Sequence, residues 1–454
     1  MKLAPYPEYK DSGVPWLGKI PAHWELHRGK WLFRKMERPV RSQDEVVTCF
    51  RDGTVTLRKN RRIRGFTESL KEIGYQGIRK GDLVIHQMDA FAGAVGVSDS
   101  DGKGTPVYSV CLPKRDLDTH YYAQLVREMS RSYFITSLAK GIRERSTDFR
   151  FDTFASLTLP VPLPEEQKAI SRFMRNESAQ INKFIRNKRR LIELLKEQKQ
   201  NVINQAVTRG LDPKVKFKPS GVEWIGDIPE HWEVRRLKFL CHNLNEQTSE
   251  KQPGETYIAL EHVESWTGRI SLPDDEITFD SQVKRFQPGD VLFGKLRPYL
   301  AKVTRPQTAG VCVGEFLVLR ATGDVSADFL EQKLRSKRVI DLINSSTFGA
   351  KMPRADWTFI GNLKFAYPPA DEQREILEHI QEKSAEIDQA IIRAQREIEL
   401  MREYRTRLIS DVVTGQVDVR NVKCEGGSLN EDEFEDIEEV EEEIELPEGG
   451  EDDE

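Results

Sequence analysis

The chain has 454 residues, 38% of them hydrophobic and 31% charged, which is enough for two or three domains with real cores. It contains no run of eighteen apolar residues, and Met1 to Lys19 lacks an apolar signal segment, so a soluble, cytoplasmic protein is expected rather than a membrane-spanning or exported one. The net charge of −5 hides an asymmetry: from Glu425 onward there are 17 acidic residues and no Lys or Arg, leaving 57 acidic against 69 basic residues, a body of +12. A basic body favours a polyanionic partner such as nucleic acid. The acidic residues 421–454 read as a disordered tail, either solubilising the basic body or competing with DNA for it. Five scattered cysteines, Cys49, Cys111, Cys241, Cys312 and Cys424, include no CxxC pair; single buried thiols are expected, with neither disulfides nor a zinc site.

In chain order, the first feature is an opening motif within residues 8–25, Ser12-Gly13-Val14-Pro15-Trp16-Leu17-Gly18-Lys19-Ile20-Pro21-Ala22-His23-Trp24-Glu25. It returns within 217–233 as Ser220-Gly221-Val222-Glu223-Trp224-Ile225-Gly226-Asp227-Ile228-Pro229-Glu230-His231-Trp232-Glu233, with ten of fourteen positions identical. A repeat on this scale sets the architecture: a tandem duplication of opening motif, globular stretch and long helix. Trp24 and Trp232 read as packing anchors. In the globular stretches, Gly81-Asp82 before Leu83-Val84-Ile85 matches Gly289-Asp290 before Val291-Leu292-Phe293, a turn feeding a buried strand. Gly141, Asp148 and Phe151 match Gly349, Asp356 and Phe359 in the same way. Strand-like runs (Val107 to Leu112, Phe316 to Leu319) mix with helical ones (Tyr121 to Leu138, Ala327 to Ile343), so each stretch reads as a small α/β domain.

Each half closes on a long amphipathic helix, from about Pro164 to Thr208 and from about Pro369 to Thr414. Met174, Ile181, Leu195 and Val202 fall on one seven-residue row, and Ile185 and Ile192 on the adjoining one; Lys188 and Lys199 interrupt the rows. The second copy repeats the stripe through Ile380, Ile387, Met401 and Leu408, with Ile391 and Ile398 beside them. Such a narrow stripe is a coiled-coil seam. Pro164 and Pro369 start the helices, Glu165-Glu166 and Asp371-Glu372 suit the positive end of the dipole, and Gly210 and Gly415 stop them. An approximate two-fold relation between the halves would lay the helices antiparallel. The fold class expected is therefore mixed α+β: two α/β domains separated by a long antiparallel two-helix coiled coil, with pseudo-two-fold duplication and a disordered acidic tail. The division is 1–160, 161–210, 211–366, 367–420 and 421–454.

Chemistry is not legible. Gly13 to Lys19 has P-loop spacing, but Ile20 stands where Ser or Thr should meet magnesium and Asp227 replaces the lysine in the repeat. No paired-histidine metal spacing or nucleophile elbow occurs. The expectation is no catalytic residue, no metal and no cofactor on this chain. Basic clusters are better marked. Arg58, Lys59, Arg61, Arg62 and Arg64 crowd seven residues of the first globular stretch; in the second, Lys295, Arg297, Lys302 and Arg305 flank Pro298-Tyr299. Arg143 and Arg145, and Lys351 and Arg354, lie in corresponding loops. Several cations on one face suit phosphates, and a few Arg, Asn or Gln side chains reaching a groove suit bases. These residues, with Tyr299, are the candidate DNA contacts.

Along nearly its whole length short of the acidic residues, the chain resembles the specificity subunit of type I restriction–modification systems (the HsdS family). The resemblance rests on Ser-Gly-Val-x-Trp-(Leu/Ile)-Gly-x-Ile-Pro-x-His-Trp at 12–24 and 220–232, on Gly-Lys-Leu-Arg-Pro-Tyr-Leu-Ala-Lys-Val at 294–303, and on the Glu-Gln helix starts at Pro164 to Ile170 and Asp371 to Ile376. It implies two target-recognition domains, each reading half of a bipartite, asymmetric double-stranded DNA site, with the paired helices setting the gap. It also implies two modification subunits that use S-adenosylmethionine to methylate adenine N6, docked on exposed positions of the long helices, and ATP- and Mg2+-dependent motor–nuclease subunits. The first half departs from the pattern, with Ile85-His86-Gln87-Met88-Asp89 where the second has the Gly-Lys-Leu-Arg-Pro-Tyr run. Two other readings stay open: the recognition part of a fused methyltransferase–nuclease, and a coiled-coil scaffold that joins two protein-binding domains without touching DNA.

Overall fold

The structure is a computed structural model that describes residues 3–61, 73–138, 148–273, 282–347 and 352–422. The chain forms a mixed α/β structure of two compact units, 1–188 with 396–454, and 189–395. Each unit therefore contains a stretch of both long helices. No helix among the described residues is long and apolar enough to cross a membrane.

The first unit is built on a four-stranded antiparallel sheet in the order Phe33–Lys35, Tyr108–Pro113, Leu83–His86, Val95–Val97. Leu83, Val84 and Ile85 are all fully buried, because the sheet is covered on both faces and a strand so covered is apolar throughout rather than alternating. Leu83 and Ile85 pack with Tyr121, Leu125 and Met129 of the helix Thr119–Arg131. Val84 faces the other way, onto Val47, Val55 and Ile78 of two small two-stranded sheets. Asp118 caps the helix by accepting from Tyr121 N at 3.1 Å, as a first-turn N–H requires. The expected run to Leu138 is broken: Tyr133 adopts a left-handed φ of 58°, and a separate turn, Phe134–Ser137, follows.

The second unit repeats the sheet order with Cys241–Leu244, Phe316–Ala321, Val291–Gly294 and Val303–Thr304. Beside it stands a second four-stranded sheet, in which Thr256–Ile258 pairs parallel with Gly310–Val313. The expected helix from Ala327 to Ile343 is two helices, Ala327–Arg335 and Lys337–Ser345. Ser336 between them is extended (φ −64°, ψ 140°) and fully buried. Its hydroxyl donates to Lys333 O at 2.6 Å, and Asn204 Oδ1 accepts from Lys337 N at 2.9 Å, so the break leaves neither helix end bare.

The long helices span Pro164–Arg209 and Ala370–Val413. Gly210 (φ 73°) and Gly415 (φ 80°) end them in the left-handed region, where a side chain would be strained. In the first unit, Lys188 pairs with Glu397, and Asn182 Oδ1 accepts from Arg405 Nη1 at 3.1 Å. One number rises as the other falls, so the stretches run antiparallel there. In the second unit, Lys199 binds Asp388 at 2.7 Å. The two lysines that interrupt the apolar rows thus carry their charge to a carboxylate on the facing helix while their stems stay half-covered. Met174, Ile181, Ile185, Ile380, Ile387, Ile398 and Leu408 are buried; Ile192, Leu195, Val202, Ile391 and Met401 are half-buried.

Candidate nucleic-acid interface

The first turn of each long helix holds its unit together. Glu166 is buried and accepts from Tyr6 OH at 2.6 Å and from Trp24 Nε1 at 3.0 Å, with His23 Nε2 at 2.9 Å. In the second unit, Glu372 accepts from Trp232 Nε1 at 3.1 Å and meets His231 Nε2 at 2.6 Å. The next residue ties the helix to the globular part. Gln167 Oε1 accepts from Asp118 N, and Gln373 Oε1 accepts from Ser326 N, each at 2.9 Å. Asp118 and Ser326 are the N-caps of the helices packed on the two sheets. The first-turn acids, which read as dipole partners in the sequence, are receptors for the His-Trp pair of the opening motif.

The Gly-Asp turns fix an arginine each. Asp82 binds Arg38 (Nη2 to Oδ1 3.1 Å), and Asp290 binds Arg320 at 2.7 and 2.8 Å. Each aspartate also accepts a turn N–H at 2.8 Å, from Arg79 and Gln287. The strands that follow then deliver a strip of residues at the sheet end.

In the second unit this strip is Lys295-Leu296-Arg297. Lys295 N donates to Glu315 O at 2.8 Å, Ala355 N to Lys295 O at 2.9 Å and Arg297 N to Pro353 O at 2.8 Å, with Leu296 bridging Arg354. Arg297 and Arg354, 57 positions apart, are thereby brought onto neighbouring backbones. Arg297 is exposed with a left-handed φ of 48°, and Tyr299 and Met352 are exposed beside it. Arg354 meets Glu315 at 2.9 Å. Lys302 points inward, donating to Leu260 O at 2.8 Å, and Arg305 pairs with Asp328. Lys351 lies outside the described residues.

The first unit's strip is built alike with different side chains. Gln87 N donates to Val107 O and Phe149 N to Gln87 O, both at 3.0 Å. Met88 is exposed, and Asp89 pairs with Arg51 at 3.1 Å. Burial lowers the His86 pKa, partly offset by Asp89. Among the basic candidates, Arg58 Nε donates to Thr48 Oγ1 at 3.2 Å and Lys59 reaches Glu45 at the surface. Arg61 is turned inward: it pairs with Asp52, lies 4.6 Å from the centre of the Phe50 ring and is only 8% exposed. Arg62, Arg64, Arg143 and Arg145 lie outside the described residues. Reading from sequence missed Arg51, Gln87 and Met88 as surface candidates. Gln87 and Met88 stand opposite Lys295-Leu296, 208 positions on, and that correspondence was the signal; Arg51 has no such counterpart.

These strips present hydrogen-bonding and cationic heads on a fixed backbone, which suits phosphate contact and base-edge reading. Among the described residues no three His, Cys, Asp or Glu cluster as metal ligands. Burial pushes the thiols up, to about 12 for Cys241 and Cys312 and further for Cys49 and Cys111, so they are inert at neutral pH.

No family model matches the chain. It is 22% identical over 252 residues to the type I restriction enzyme EcoDI specificity subunit of Escherichia coli, a match that spans 51% of this chain and 56% of that protein's length. It is 23% identical to the MjaVIII specificity subunit of Methanocaldococcus jannaschii over 64% of this chain and 68% of that one. To the putative MjaX specificity subunit of the same organism it is 20% identical, over 89% and 96%. Its fold resembles a chain from a structure of assembly and conformational transition in a type I R-M system (TM-score 0.62, 14% identity, 88% of this chain and 99% of that one). It also resembles the HsdS subunit of Thermoanaerobacter tengcongensis (TM-score 0.52, 16% identity, 88% and 98%). In sequence and in fold, the chain is thus similar to specificity subunits of type I restriction–modification systems.

Proposed function

We propose that the chain is a non-catalytic, DNA-recognition subunit that reads a bipartite, asymmetric site with two target-recognition domains. The observation that carries this reading is the pair of strips. The anchors around them recur in both units, with Trp-Glu bonds of 3.0 and 3.1 Å and Gln–N-cap bonds of 2.9 Å, while the strip residues differ: Gln87-Met88-Asp89 in one, with Met88 exposed, and Lys295-Leu296-Arg297 in the other, with Arg297 exposed. A constant scaffold with unlike reading edges is what two different half-sites require, and a tandem duplication explains it. The candidate contacts are Arg297, Arg354, Lys295 and Tyr299 in the second domain, and Lys59 with the Gln87–Asp89 strip in the first.

In this reading the two long helices form an antiparallel coiled coil that sets the unread gap, supported by Lys188–Glu397, Asn182–Arg405 and Lys199–Asp388. Two modification subunits would supply S-adenosylmethionine-dependent adenine methylation, and motor–nuclease subunits would bring ATP and Mg2+ chemistry; this chain would choose the site. The test is to exchange residues 26–160 for the equivalent stretch of a relative and sequence the methylome. One half-site should change and the other persist; a change in both, or in neither, overturns the reading.

A further inference from the structure

The first unit carries an exposed basic–aromatic surface made of residues outside the candidate DNA contacts named above. Trp31, in the short helix Gly29–Leu32, is 63% exposed, and Lys30 Nζ lies 5.3 Å from its ring centre. The strand end after Pro113 returns beside it: Lys114 N donates to Leu32 O at 2.8 Å, and its ammonium donates to Lys30 O at 2.6 Å. His27, Trp31, Lys114 and Arg115 line an open cleft of about 370 Å³. His27 is held by Glu25 at 2.8 Å. Among the described residues no carboxylate stands within ion-pair distance of Lys30, Lys114 or Arg115, though Glu25, held below its usual pKa chiefly by His27, also feels the charge of Arg115. Trp31 and the cations around the cleft thus offer an apolar face and positive charge together, a combination that an acidic, partly apolar ligand can use.

The second unit has a weaker counterpart. Lys238 Nζ lies 5.5 Å from the ring of Phe239, which is equally exposed. There the returning strand end brings Thr322, whose N donates to Leu240 O at 2.8 Å, followed by Gly323. The two cations Lys114 and Arg115 are therefore particular to the first unit.

We propose that this cleft binds the chain's own acidic segment, residues 425–454. The segment carries 17 carboxylates, and among them Phe434, Ile437, Val440 and Ile444 stand three, three and four apart, so it pairs charge for the cations with apolar groups for the indole. Val422, the last described residue, packs against the same core as Trp24, seven positions before Trp31. Thirty residues can extend roughly 100 Å, so the segment reaches the cleft, and tethering gives an effective concentration on the order of millimolar. A DNA backbone is the rival occupant. Phosphates favour a row of cations along a face, whereas here the cations ring an indole in a cleft, which fits an acidic peptide bearing an aromatic residue.

The proposal is independent of the DNA reading: its crosslinking test uses no DNA, and a separate duplex-binding measurement tests the rival occupant. In the full chain, a photo-crosslinking amino acid replaces Phe434, and products are mapped by mass spectrometry after mixing with isotope-labelled chain. Crosslinks within one chain should fall on residues 27–34 and 113–116. The double variant K114E/R115E should cut their yield at least tenfold, as should 0.5 M salt, while Trp31→Phe retains most of it. Circular dichroism checks that these surface variants are folded. Crosslinks elsewhere, between chains only, or unaffected by K114E/R115E overturn the proposal. If K114E/R115E weakens duplex binding and leaves the crosslinks unchanged, the cleft is a nucleic-acid contact instead, and the proposal is likewise overturned.

Discussion

The indole of Trp24 donates to the carboxylate of Glu166 at 3.0 Å, across 142 positions, and the same bond joins Trp232 to Glu372 at 3.1 Å across 140. The two locks differ in depth. The Glu166 side chain is 2% exposed and holds a third donor, Tyr6, whereas Glu372 is 23% exposed and holds two. Removing a buried acceptor leaves its donors unsatisfied, a loss that grows with burial and with their number. Glu166→Ala should therefore destabilise its unit by about 3 kcal/mol, and Glu372→Ala its own by about 1 to 2 kcal/mol. Urea unfolding with a probe in each unit measures both. Equal losses would show that the carboxylates are not the anchors.

Some of this was legible in the sequence. The strand after each Gly-Asp turn read correctly because Leu83-Val84-Ile85 and Val291-Leu292-Phe293 are buried on both faces and so form unbroken apolar runs. Helix starts and stops read correctly because Pro164 and the glycines Gly210 and Gly415 act through local backbone geometry. What failed to show was everything decided by a distant partner. Arg61 looks like its neighbours in a basic run until Asp52 and Phe50 draw it inward. Arg297 and Arg354 are unrelated in sequence until the Leu296–Arg354 bridge joins their backbones. The break at Ser336 is invisible to periodicity because both flanking helices keep their apolar face toward one core.

Lys333 gives the second unit a pH dependence of stability. It is wholly buried, its ammonium donates to Val207 O near the end of the first long helix, and its nitrogen lies 5.7 Å from the Trp232 ring centre. The ring favours the charged form, but burial is the larger effect, and Arg338 adds to it, pulling the pKa down to about 7. Below pH 7 folded and unfolded chains both carry the proton, and the burial penalty is fully present. Between about 7 and the ordinary lysine value, the unfolded chain binds the extra proton, so stability rises with pH, by up to about 1.4 kcal/mol per unit. Lys333→Met should flatten that rise. Parallel stability curves for the two proteins from pH 7 to 10 would remove Lys333 as its source.

Exposed and inward-turned cations should separate in a salt titration. Arg297 is exposed and, among the described residues, its side chain has no ion-pair partner, whereas Lys302 is committed to Leu260 O. Arg297→Ala should weaken duplex binding by about 1 to 3 kcal/mol. If it meets a phosphate, the slope of log affinity against log salt falls by about one; if it reads a base, specificity relaxes at one position. Lys302→Ala should cost about 1 kcal/mol of stability and leave the slope unchanged, and Arg61→Ala should behave likewise. A slope change for Lys302→Ala and none for Arg297→Ala would reverse the assignment.

The proposed spacer makes a prediction in base pairs. Adding one heptad to each long helix, at the level of the Lys199–Asp388 pair, keeps the apolar rows in phase, because the seam repeats every seven residues. Seven residues lengthen a helix by about 10.5 Å, the rise of about three base pairs at 3.4 Å each. The methylated site should keep both half-sites and gain about three unread positions between them. Adding four residues instead makes a stutter, which turns the stripe by about 40° and locally unwinds the coil, so that variant should cost some stability and widen the gap by a smaller step. The two insertions thus separate a ruler from a tether: a flexible connection would tolerate both and would leave the methylome gap unchanged or smeared.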